Sequence, residues 1–509
     1  MLRTDPQDFA ALSDPGVIGR PFAGEMAKTG TRGWSRLVPS LSMIAGLGVL
    51  ARALAEPRAL LNDPDTYLHI AAGRWILAHV ALPVHDPFSH TFAGASWVPH
   101  EWLAEVVLAA VWRGAGWSGV VLLAAICFAL SVALLTRYLL RWAEPFSALI
   151  AAGLGAALVE GHVLARPHML AMPLLVWWSG ALFAARDNGA PPPFRLLPVM
   201  VLWANLHASF LVGIGLALFL FAEALPTPER GCWGLFAGLA VVAAALTPNG
   251  LAGFIEPFRL MAMPALQASF GEWQSADFQH FQPLEIWLLG LVGLGLTTGV
   301  KAPLPRVALV ALLCHMALAH IRHADLLGLV GPLALAASLG PQLAARLRSV
   351  PASVVTQFLE RRARPAALPA AMVTVAIAAA ISLPLLLRPI ERGDGTVTPA
   401  AAVAAARALG LDGPVFNSER FGGYLAYKGV PAFIDGRIEL YGNAFLARFI
   451  AAAAGNLPAL TALLDRYRIQ WTLLAPEDGA VAQLDRLPGW RRIYSDTHAV
   501  IHARAVLGP

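Results

Sequence analysis

The chain has 509 residues, of which 57% are hydrophobic and only 14% are charged. Soluble proteins contain about 45–50% apolar residues, so this composition excludes an ordinary soluble protein and predicts a polytopic α-helical membrane protein. The net charge of +5 does not indicate a nucleic-acid partner, because the arginines fall in short clusters between apolar runs, as in the cytoplasmic loops of membrane proteins.

Residues 1–37 are predicted to form a disordered cytoplasmic tail. The segment is polar, and its basic residues include Arg3, Arg20, Lys28 and Arg32. The apolar run that follows begins too late for an ordinary signal peptide. Ala53-Leu54-Ala55 resembles a signal-peptidase cleavage site, but we favour an uncleaved first span.

Eleven apolar stretches come close to the length of about 20 residues that a membrane-spanning helix needs. They predict spans near 38–56, 118–138, 146–163, 168–186, 194–205, 209–226, 232–247, 283–299, 305–320, 324–342 and 367–387. Because 194–226 is long for one span and short for two, we expect a helical hairpin that turns at Asn205-Leu206-His207. The predicted transmembrane domain covers residues 38–390.

The apolar segment His100–Arg113 is ambiguous in this topology. At about fourteen residues it is short for a span, so we expect it to lie along the membrane interface, within a first outer loop over 57–117. The basic residues of the other loops then all lie on the side of the N-terminal tail, at Arg137, Arg141, Arg186, Arg195, Arg230, Lys301, Arg306 and the cluster 346–364. The positive-inside rule therefore predicts a cytoplasmic N-terminus and a periplasmic or extracellular C-terminal domain, in a bacterial inner membrane.

The predicted topology brings many ionisable and polar residues to the outer face. The densest group lies in the first outer loop, within Asn62–Glu105. Taken one by one, such residues are more often hydrogen-bonded helix ends or arginines that snorkel to head groups. Ionisable groups near membrane depth are costly, so a cluster of them favours a pocket. The candidates for substrate binding are His69, His85, His100, Glu101, His162, Arg166, His168, Asn205, His207, Glu272, Arg322 and His323.

Residues 391–509 are predicted to form a small soluble α/β domain. The strand candidates are Pro414–Phe416, Ala432–Ile434, Trp471–Leu474, Arg492–Tyr494 and Ala499–His502, and the helical stretches include Asn443–Ala454 and Pro458–Tyr467. The string Phe421-Gly422-Gly423-Tyr424 lacks the glycine spacing of a dinucleotide site. In Ile434-Asp435-Gly436-Arg437 we expect Asp435 and Arg437 to form an internal ion pair.

The catalytic candidates are Asp63, Asp65 and Asp86. Pro64 disfavours a helical Asp63, so we expect Asp65 to cap a helix over Thr66–Val80, with His69 on the same side of that helix. Glu101 is expected in the first turn of the interfacial helix, where the helix dipole favours an acid. A divalent metal (Mg, Mn or Zn) on Asp63, Asp65, His69 or Asp86 is left open, because the loop has no established ligand spacing.

Acids surrounded by arginines and histidines at the outer face suit glycosyl transfer from a lipid-phosphate sugar. A carboxylate would act as general base on the acceptor hydroxyl, and Asp63 is our candidate for that role. Arginine and histidine, or a metal, would neutralise the leaving phosphate.

The sequence resembles the GT-C class of integral membrane glycosyltransferases, especially the lipid A aminoarabinose and galacturonic acid transferases and the protein mannosyltransferases. The resemblance rests on Asp63-Pro64-Asp65 directly after the first span, the interfacial helices of the first loop, the turn at Asn205 and His207, and the soluble domain after the last span. It implies an inverting transfer with a first-loop acid as base. It also implies a polyprenyl-phosphate-linked sugar donor, a glycan, lipid or protein acceptor in the envelope and, in some members, a divalent metal.

Two other functions fit the same sequence. A transporter or flippase for a lipid-linked or anionic substrate would need polar residues in both halves of the membrane, whereas the inner halves of the predicted spans are expected to be apolar. A non-catalytic scaffold could instead present the domain after residue 394 to an envelope partner.

Overall fold

The computed structural model describes residues 37–347 and 353–504, so the predicted tail over 1–37 lies outside the described residues except for Leu37. The first part of the chain is helical. Its α-helices are α1 (Leu41–Ala55), α2 (Asp65–His79), α3 (Trp102–Leu139), α4 (Pro145–Glu160), α5 (Pro167–Asp187), α6 (Leu197–Leu206), α7 (Phe210–Ala224), α8 (Arg230–Ala244), α9 (Gly250–Met261), α10 (Pro264–Ser269), α11 (Pro283–Thr298), α12 (Leu304–Ala319), α13 (Ala324–Leu347), α14 (Val354–Arg362) and α15 (Leu368–Leu387). Short 3-10 turns lie at Ala59–Leu61, Phe194–Leu196, Gly271–Trp273 and Ile321–His323.

Each of the eleven predicted spans coincides with a helix. Within the described ranges, four helices are long and apolar enough to cross a membrane, namely Trp102–Leu139, Pro167–Asp187, Ile321–Leu347 and Leu368–Leu387. A bent pair, Ile438–Ala453 with Leu457–Arg466, also passes this test, and seven further apolar helices are shorter, at 10–17 residues. The protein is therefore a multi-pass membrane protein, and the number of its spans stays a prediction.

Helix α3 contains a break at Gly116. The backbone there has φ 59° and ψ −153°, in the region that glycine enters at little cost. The residues before the break belong to the segment that we expected along the interface, and those after it form the predicted span over 118–138. The break between α6 and α7 lies at 207–209, so the expected hairpin turn begins two residues later than Asn205.

Buried charge is also present at the end of the bundle where α5 and α7 finish and α12 begins. Arg306, only 3% exposed, lies 2.7 Å from Glu223 through Nε and 2.8 Å from Asp187 through Nη2. The expectation that the inner halves are apolar was therefore wrong. The sequence did not reveal this cluster because two acids at helix ends and one arginine at a helix start are far apart along the chain. They meet only in the folded bundle.

The C-terminal domain surrounds a four-stranded sheet. Its elements are α16 (Ala400–Ala408), β1 (Val415–Asn417), α17 (Glu419–Tyr427), α18 (Ile438–Ala453), α19 (Leu457–Arg466), β2 (Trp471–Leu474), α20 (Gly479–Leu484), β3 (Trp490–Ser495) and β4 (Val500–Arg504). The strand order is β1-β2-β4-β3, with β1 parallel to β2 and the other neighbours antiparallel. This small sheet domain agrees with the prediction.

One predicted strand, Ala432–Ile434, was wrong. The segment forms only an isolated bridge, between Ala432 and Ser89 of the first loop. The Asn417 side chain accepts a hydrogen bond from the Phe433 N–H at 2.8 Å and donates one to the Ile434 carbonyl at 2.9 Å. A side-chain amide therefore satisfies backbone groups that a neighbouring strand would otherwise pair.

The first loop packs directly against the C-terminal domain. The His90 ring lies 2.9 Å from the Val415 carbonyl, and the Thr91 hydroxyl donates a hydrogen bond to the Phe433 carbonyl at 2.6 Å. Tyr67 of α2 packs edge-on against Tyr424 of α17, with ring centroids 5.1 Å apart. These contacts hold the first loop and the C-terminal domain together at one end of the helix bundle.

Candidate active site

One arginine joins the two acids of the first-loop motif. Arg166, at the start of α5, lies with Nη1 3.3 Å from Asp63 Oδ2 and with Nη2 2.5 Å from Asp65 Oδ2. All three side chains are largely buried. Charge-assisted contacts of this kind fix both the position and the orientation of the partners.

The two aspartates have exchanged the structural roles that we expected. Asp65 is the first residue of α2 and makes no capping hydrogen bond, because Pro64 already has helical angles. Asp63 instead accepts the N–H of Asp65 at 2.8 Å. The predicted cap at Asp65 was therefore wrong, and its carboxylate is left free to pair with Arg166.

The electrostatics of this trio differ from residue to residue. Burial, together with the charges of Asp63 and Glu272, raises the pKa of Asp65 to about 6 against the attraction of Arg166. Burial disfavours the charged form of Arg166, but the surrounding carboxylates outweigh it and raise the pKa of the guanidinium. Asp65 can therefore exchange a proton near neutral pH while Arg166 stays charged.

A third acid and a second arginine extend this group of side chains. Glu272 lies 3.5 Å from Arg166 Nη1 and 3.0 Å from Arg322 Nη1. The Arg322 guanidinium lies over the Trp273 ring, 4.4 Å from its centre. Burial acts to raise the pKa of Glu272, but the two arginines lower it below its usual range, so this acid is ionised at neutral pH.

Glu101 forms the centre of a neighbouring imidazole cluster. Its carboxylate lies 3.5 Å from His207 Nε2 and 3.9 Å from His69 Nε2, and His69 Nδ1 lies 3.5 Å from Glu105. Burial opposes charge on His69 and His100, but nearby acids raise the pKa of both. His207 differs, since burial and neighbouring cations lower its pKa to about 4.

His162 and His168 lie close to this cluster, and the centre of the His168 ring is 6.1 Å from that of His207. His162 Nδ1 is 3.1 Å from Asp325 Oδ1, and His168 Nε2 is 2.9 Å from the His162 carbonyl. The buried Nδ1 of His323 has no hydrogen-bond partner among the described residues. These three histidines therefore line the same end of the bundle as the arginines.

Asn205 fastens helices together beside the cluster. Its Oδ1 accepts a hydrogen bond from the Trp102 indole at 2.8 Å, and its amide donates to the Val201 and Leu246 carbonyls. With these bonds the side chain ties the end of α6 to the start of α3, which is a positioning role.

The structure does not bring Asp86 and His85 to the aspartate pair. The Asp86 side chain is fully buried and lies 2.6 Å from Arg437 Nη1, and Arg437 also contacts Asp435 at 2.6 Å. The predicted ion pair between Asp435 and Arg437 is thus confirmed. His85 is exposed and takes part in a backbone bridge with Ser96.

Sequence reasoning missed Glu419, which is the first residue of α17. Burial, followed by the charges of Asp65, Asp435 and Asp63, raises the pKa of Glu419 to about 8. The C-terminal domain thus adds a protonated carboxyl beside the first-loop acids. The only sequence signal was its position two residues before the Phe421-Gly422-Gly423-Tyr424 string.

The two glycine strings of the C-terminal domain are the points where it touches the aspartate motif. A methyl group on Gly423 would lie 2.5 Å from the Pro64 carbonyl oxygen, and one on Gly436 would lie 2.0 Å from Asp65 Oδ1. Arg392, which precedes α16, donates a hydrogen bond to the Asp63 carbonyl at 2.7 Å. The domain is therefore a wall of the site.

The donor set does not fit a metal ion. Across residues 37–347 and 353–504, no group of three or more His, Cys, Asp or Glu side chains is arranged to hold one. Arg166 lies between Asp63 and Asp65, where a bridging cation would otherwise bind. The positive charge of this site comes from arginine.

No protein-family model and no curated protein sequence matches this chain. Solved structures do match. The oligosaccharyltransferase of Archaeoglobus fulgidus aligns over 91% of this chain and 74% of its own, with TM-score 0.50 and 13% identity. The arabinofuranosyltransferase AftD from Mycobacteria aligns over 94% of this chain but only 40% of its own, with TM-score 0.50 and 14% identity.

ArnT from Cupriavidus metallidurans, bound to undecaprenyl phosphate, aligns over 94% of this chain and 100% of its own, with TM-score 0.48 and 16% identity. The two structures with the higher score are both GT-C proteins, and each covers more than nine-tenths of this chain. The chain therefore has a GT-C-like fold, as the resemblance predicted.

Proposed function

From this GT-C-like fold and the acid–arginine cluster at one end of it, we propose that the protein is a membrane glycosyltransferase. The observation that carries the proposal is the bridge that Arg166 makes between Asp63 and Asp65. The alignment with an oligosaccharyltransferase and an arabinofuranosyltransferase supports a transferase. We propose a polyprenyl-phosphate-linked sugar as donor, a glycan, lipid or protein of the envelope as acceptor, and inversion at the sugar.

Inverting transfer needs a base for the acceptor hydroxyl and positive charge at the leaving phosphate. We assign Asp63 as the base and Asp65 as its partner. When the phosphate of a donor attracts Arg166, the two carboxylates lose part of their shared counter-charge and repel each other. Their affinity for a proton then rises at the moment when the acceptor hydroxyl must lose one.

Arg166 and Arg322 are the proposed phosphate-binding groups. The Glu272 carboxylate lies between the two guanidinium groups, 3.5 Å from Arg166 and 3.0 Å from Arg322. A donor phosphate entering this group of side chains would replace the Glu272 carboxylate as their partner. His207, neutral because its pKa is lowered to about 4, adds no charge but can donate or accept a hydrogen bond.

The position of the cluster supports a site at the outer membrane face. Its members lie at the start of α2, the start of α3, the start of α5, the turn between α6 and α7, and the turn before α13. All of these belong to one end of the helix bundle. Under the positive-inside rule that end is periplasmic, together with the C-terminal domain.

The test is mass analysis of envelope glycans and lipid-linked sugars from a strain that lacks the protein. The strain is complemented with wild type, Asp63→Asn or the control His85→Gln at matched expression, because His85 is exposed and away from the cluster. We expect one sugar to be missing and to return with wild type and His85→Gln only. If Asp63→Asn also restores it, Asp63 is not the base, and the transporter and scaffold functions take precedence.

A further inference from the structure

A cavity of about 260 Å³ lies where α3 and α5 end, beside the loop that leads to α6. Its lining includes Tyr138, Arg141, Trp177, Ala181, Asn188 and Arg195. None of these residues belongs to the proposed active site.

The cavity and the acid–arginine cluster lie at opposite ends of the bundle. Helix α5 begins next to Arg166 and ends at Asp187, 21 residues later. At 1.5 Å per residue, such a helix covers about 30 Å, the thickness of a bilayer core. The cavity therefore opens near the membrane face opposite the active site.

The cavity has an apolar part and a cationic part. Trp177 lies halfway along α5 and is 44% exposed, although it is a large apolar side chain. One helical turn later, the small side chain of Ala181 leaves open space beside it. Arg141 and Arg195 line the other part of the cavity, so the chemistry of its lining matches an amphiphile with an apolar chain and a charged head.

The positive charge at the head of the cavity is not neutralised by protein acids. Neither Arg141 nor Arg195 forms an ion pair with any residue in the part of the chain that the structure describes, and no acid lines the cavity. The two acids nearest to this end pair with other arginines, since Glu223 contacts Arg186 and Arg306, and Asp187 contacts Arg306.

The aromatic neighbour of Arg141 helps to orient it. Its guanidinium lies over the Tyr138 ring at 4.9 Å from the centre. An arginine that lies over an aromatic ring is restrained by a cation–π contact, and a planar guanidinium is well suited to bind phosphate oxygens.

We propose that this cavity is a binding site for an anionic phospholipid, with its phosphate between Arg141 and Arg195 and an acyl chain along Trp177 and Ala181. A soluble phosphate would use the two arginines but not the apolar wall. The presence of that wall is what favours a lipid.

The test uses the delipidated full-length protein in detergent, with thermal unfolding measured during titration. The probes are a short-chain phosphatidylglycerol, the phosphatidylcholine of the same chain length, and inorganic phosphate. We expect saturable stabilisation by phosphatidylglycerol and at least tenfold weaker binding of the other two.

Two variants and one control address the two parts of the cavity. Replacing Arg141 and Arg195 together by Ala should weaken the binding of phosphatidylglycerol at least tenfold. The control R230A/R361A removes the same charge outside the cavity and should leave this binding unchanged. Ala181→Phe should also weaken the binding of the lipid, because the larger side chain fills the apolar part of the cavity.

Three results would overturn the proposal. The first is unchanged lipid binding in the double Arg141 and Arg195 variant. The second is equal weakening in R230A/R361A, which would indicate general charge attraction. The third is inorganic phosphate binding as tightly as the lipid with no effect of Ala181→Phe, which would make the ligand a soluble phosphate.

Discussion

Arg166 is the residue on which the arrangement of the candidate site depends. One guanidinium contacts both Asp63 and Asp65 and approaches Glu272. A planar fork can serve two carboxylates at once, whereas a lysine ammonium is a single point of charge. Its geometry, and not only its charge, should matter for transfer.

Arg166→Lys is therefore expected to lower transfer on the order of 100-fold, the scale associated with losing one preorganised charged contact in a transition state. The measurement is sugar transfer in isolated membranes at matched protein level. Arg52→Lys is the control, because Arg52 pairs with Glu56 and Glu160 at a half-exposed site. Retention of more than half the wild-type rate in Arg166→Lys would argue against a bridging role.

Glu419 should make stability depend on pH in a particular direction. Its folded pKa is raised to about 8 from an ordinary value of 4.5. The folded state therefore holds a proton that the unfolded state releases, and this contribution to stability is lost as pH rises from about 4.5 towards 8. Glu419→Gln imitates the protonated form.

We expect Glu419→Gln to unfold at a higher temperature than wild type at pH 8.5, by about a few degrees, and at nearly the same temperature at pH 5. Thermal unfolding in detergent at the two pH values checks this. Glu477→Gln, at an exposed pair with Arg420, should not reproduce the gain at high pH. A loss of stability in Glu419→Gln at both pH values would show that the carboxyl is ionised in the folded protein.

At the residue scale, the sequence located two of the three candidate acids at one arginine of the fold, but it did not predict the contacts that they make. Asp63 and Asp65 were found because a proline motif follows the first apolar run. Their capping roles were exchanged because the partner of Asp65, Arg166, is 101 residues away in the sequence, and local propensity does not include it. Glu419 has no local signal beyond its position before the Phe421-Gly422-Gly423-Tyr424 string, and that position does not show that it faces the first loop.

Among the elements, the contact between α2 and the C-terminal domain sets the shape of the site. The Gly436 backbone lies so close to Asp65 that an added methyl group would be 2.0 Å from Oδ1. Such a distance cannot be accommodated without moving the carboxylate or the domain. The glycine therefore positions the side chain of a catalytic candidate.

Gly436→Ala is expected to lower transfer on the order of tenfold or more, because a shift of about 1 Å at a reacting group has effects of that size. The protein should still reach the membrane in normal amounts. Gly393→Ala is the control, since a methyl group there meets no atom within 4 Å. Equal activity of the two variants would mean that the close contact between Gly436 and Asp65 does not affect transfer.

The sequence predicted the helices more accurately than the sheet. Apolar runs of nearly spanning length locate helices well, because a chain in lipid must satisfy its backbone internally. The short segment Ala432–Ile434 has the composition of a strand, but the Asn417 side chain takes over its hydrogen bonds. A substitution of that kind depends on tertiary contact and has no signature in the segment itself.

For the molecule as a whole, the buried trio of Asp86, Arg437 and Asp435 joins the first loop to the C-terminal domain. Both ion pairs measure 2.6 Å, and the side chains are at most 4% exposed. Removing one partner of a buried pair leaves an uncompensated charge, which costs on the order of 3 kcal/mol.

Asp86→Asn should therefore lower the thermal midpoint by a few degrees and expose the C-terminal domain to limited proteolysis. The control is His85→Gln at the neighbouring exposed position. If Asp86→Asn instead abolished transfer with unchanged stability and protease resistance, Asp86 would belong to the catalytic machinery, as the sequence first indicated.

The contact between Gly436 and Asp65 also determines whether the number of membrane crossings between them is even or odd. Two residues that touch must lie on the same side of a membrane, so the chain between them crosses it an even number of times. The ten spans predicted after the first loop satisfy this condition. Counting His100–Arg113 as one more crossing would make the number odd and would separate the acids from the glycine that holds them. One short distance thus restricts the membrane topology of more than three hundred residues.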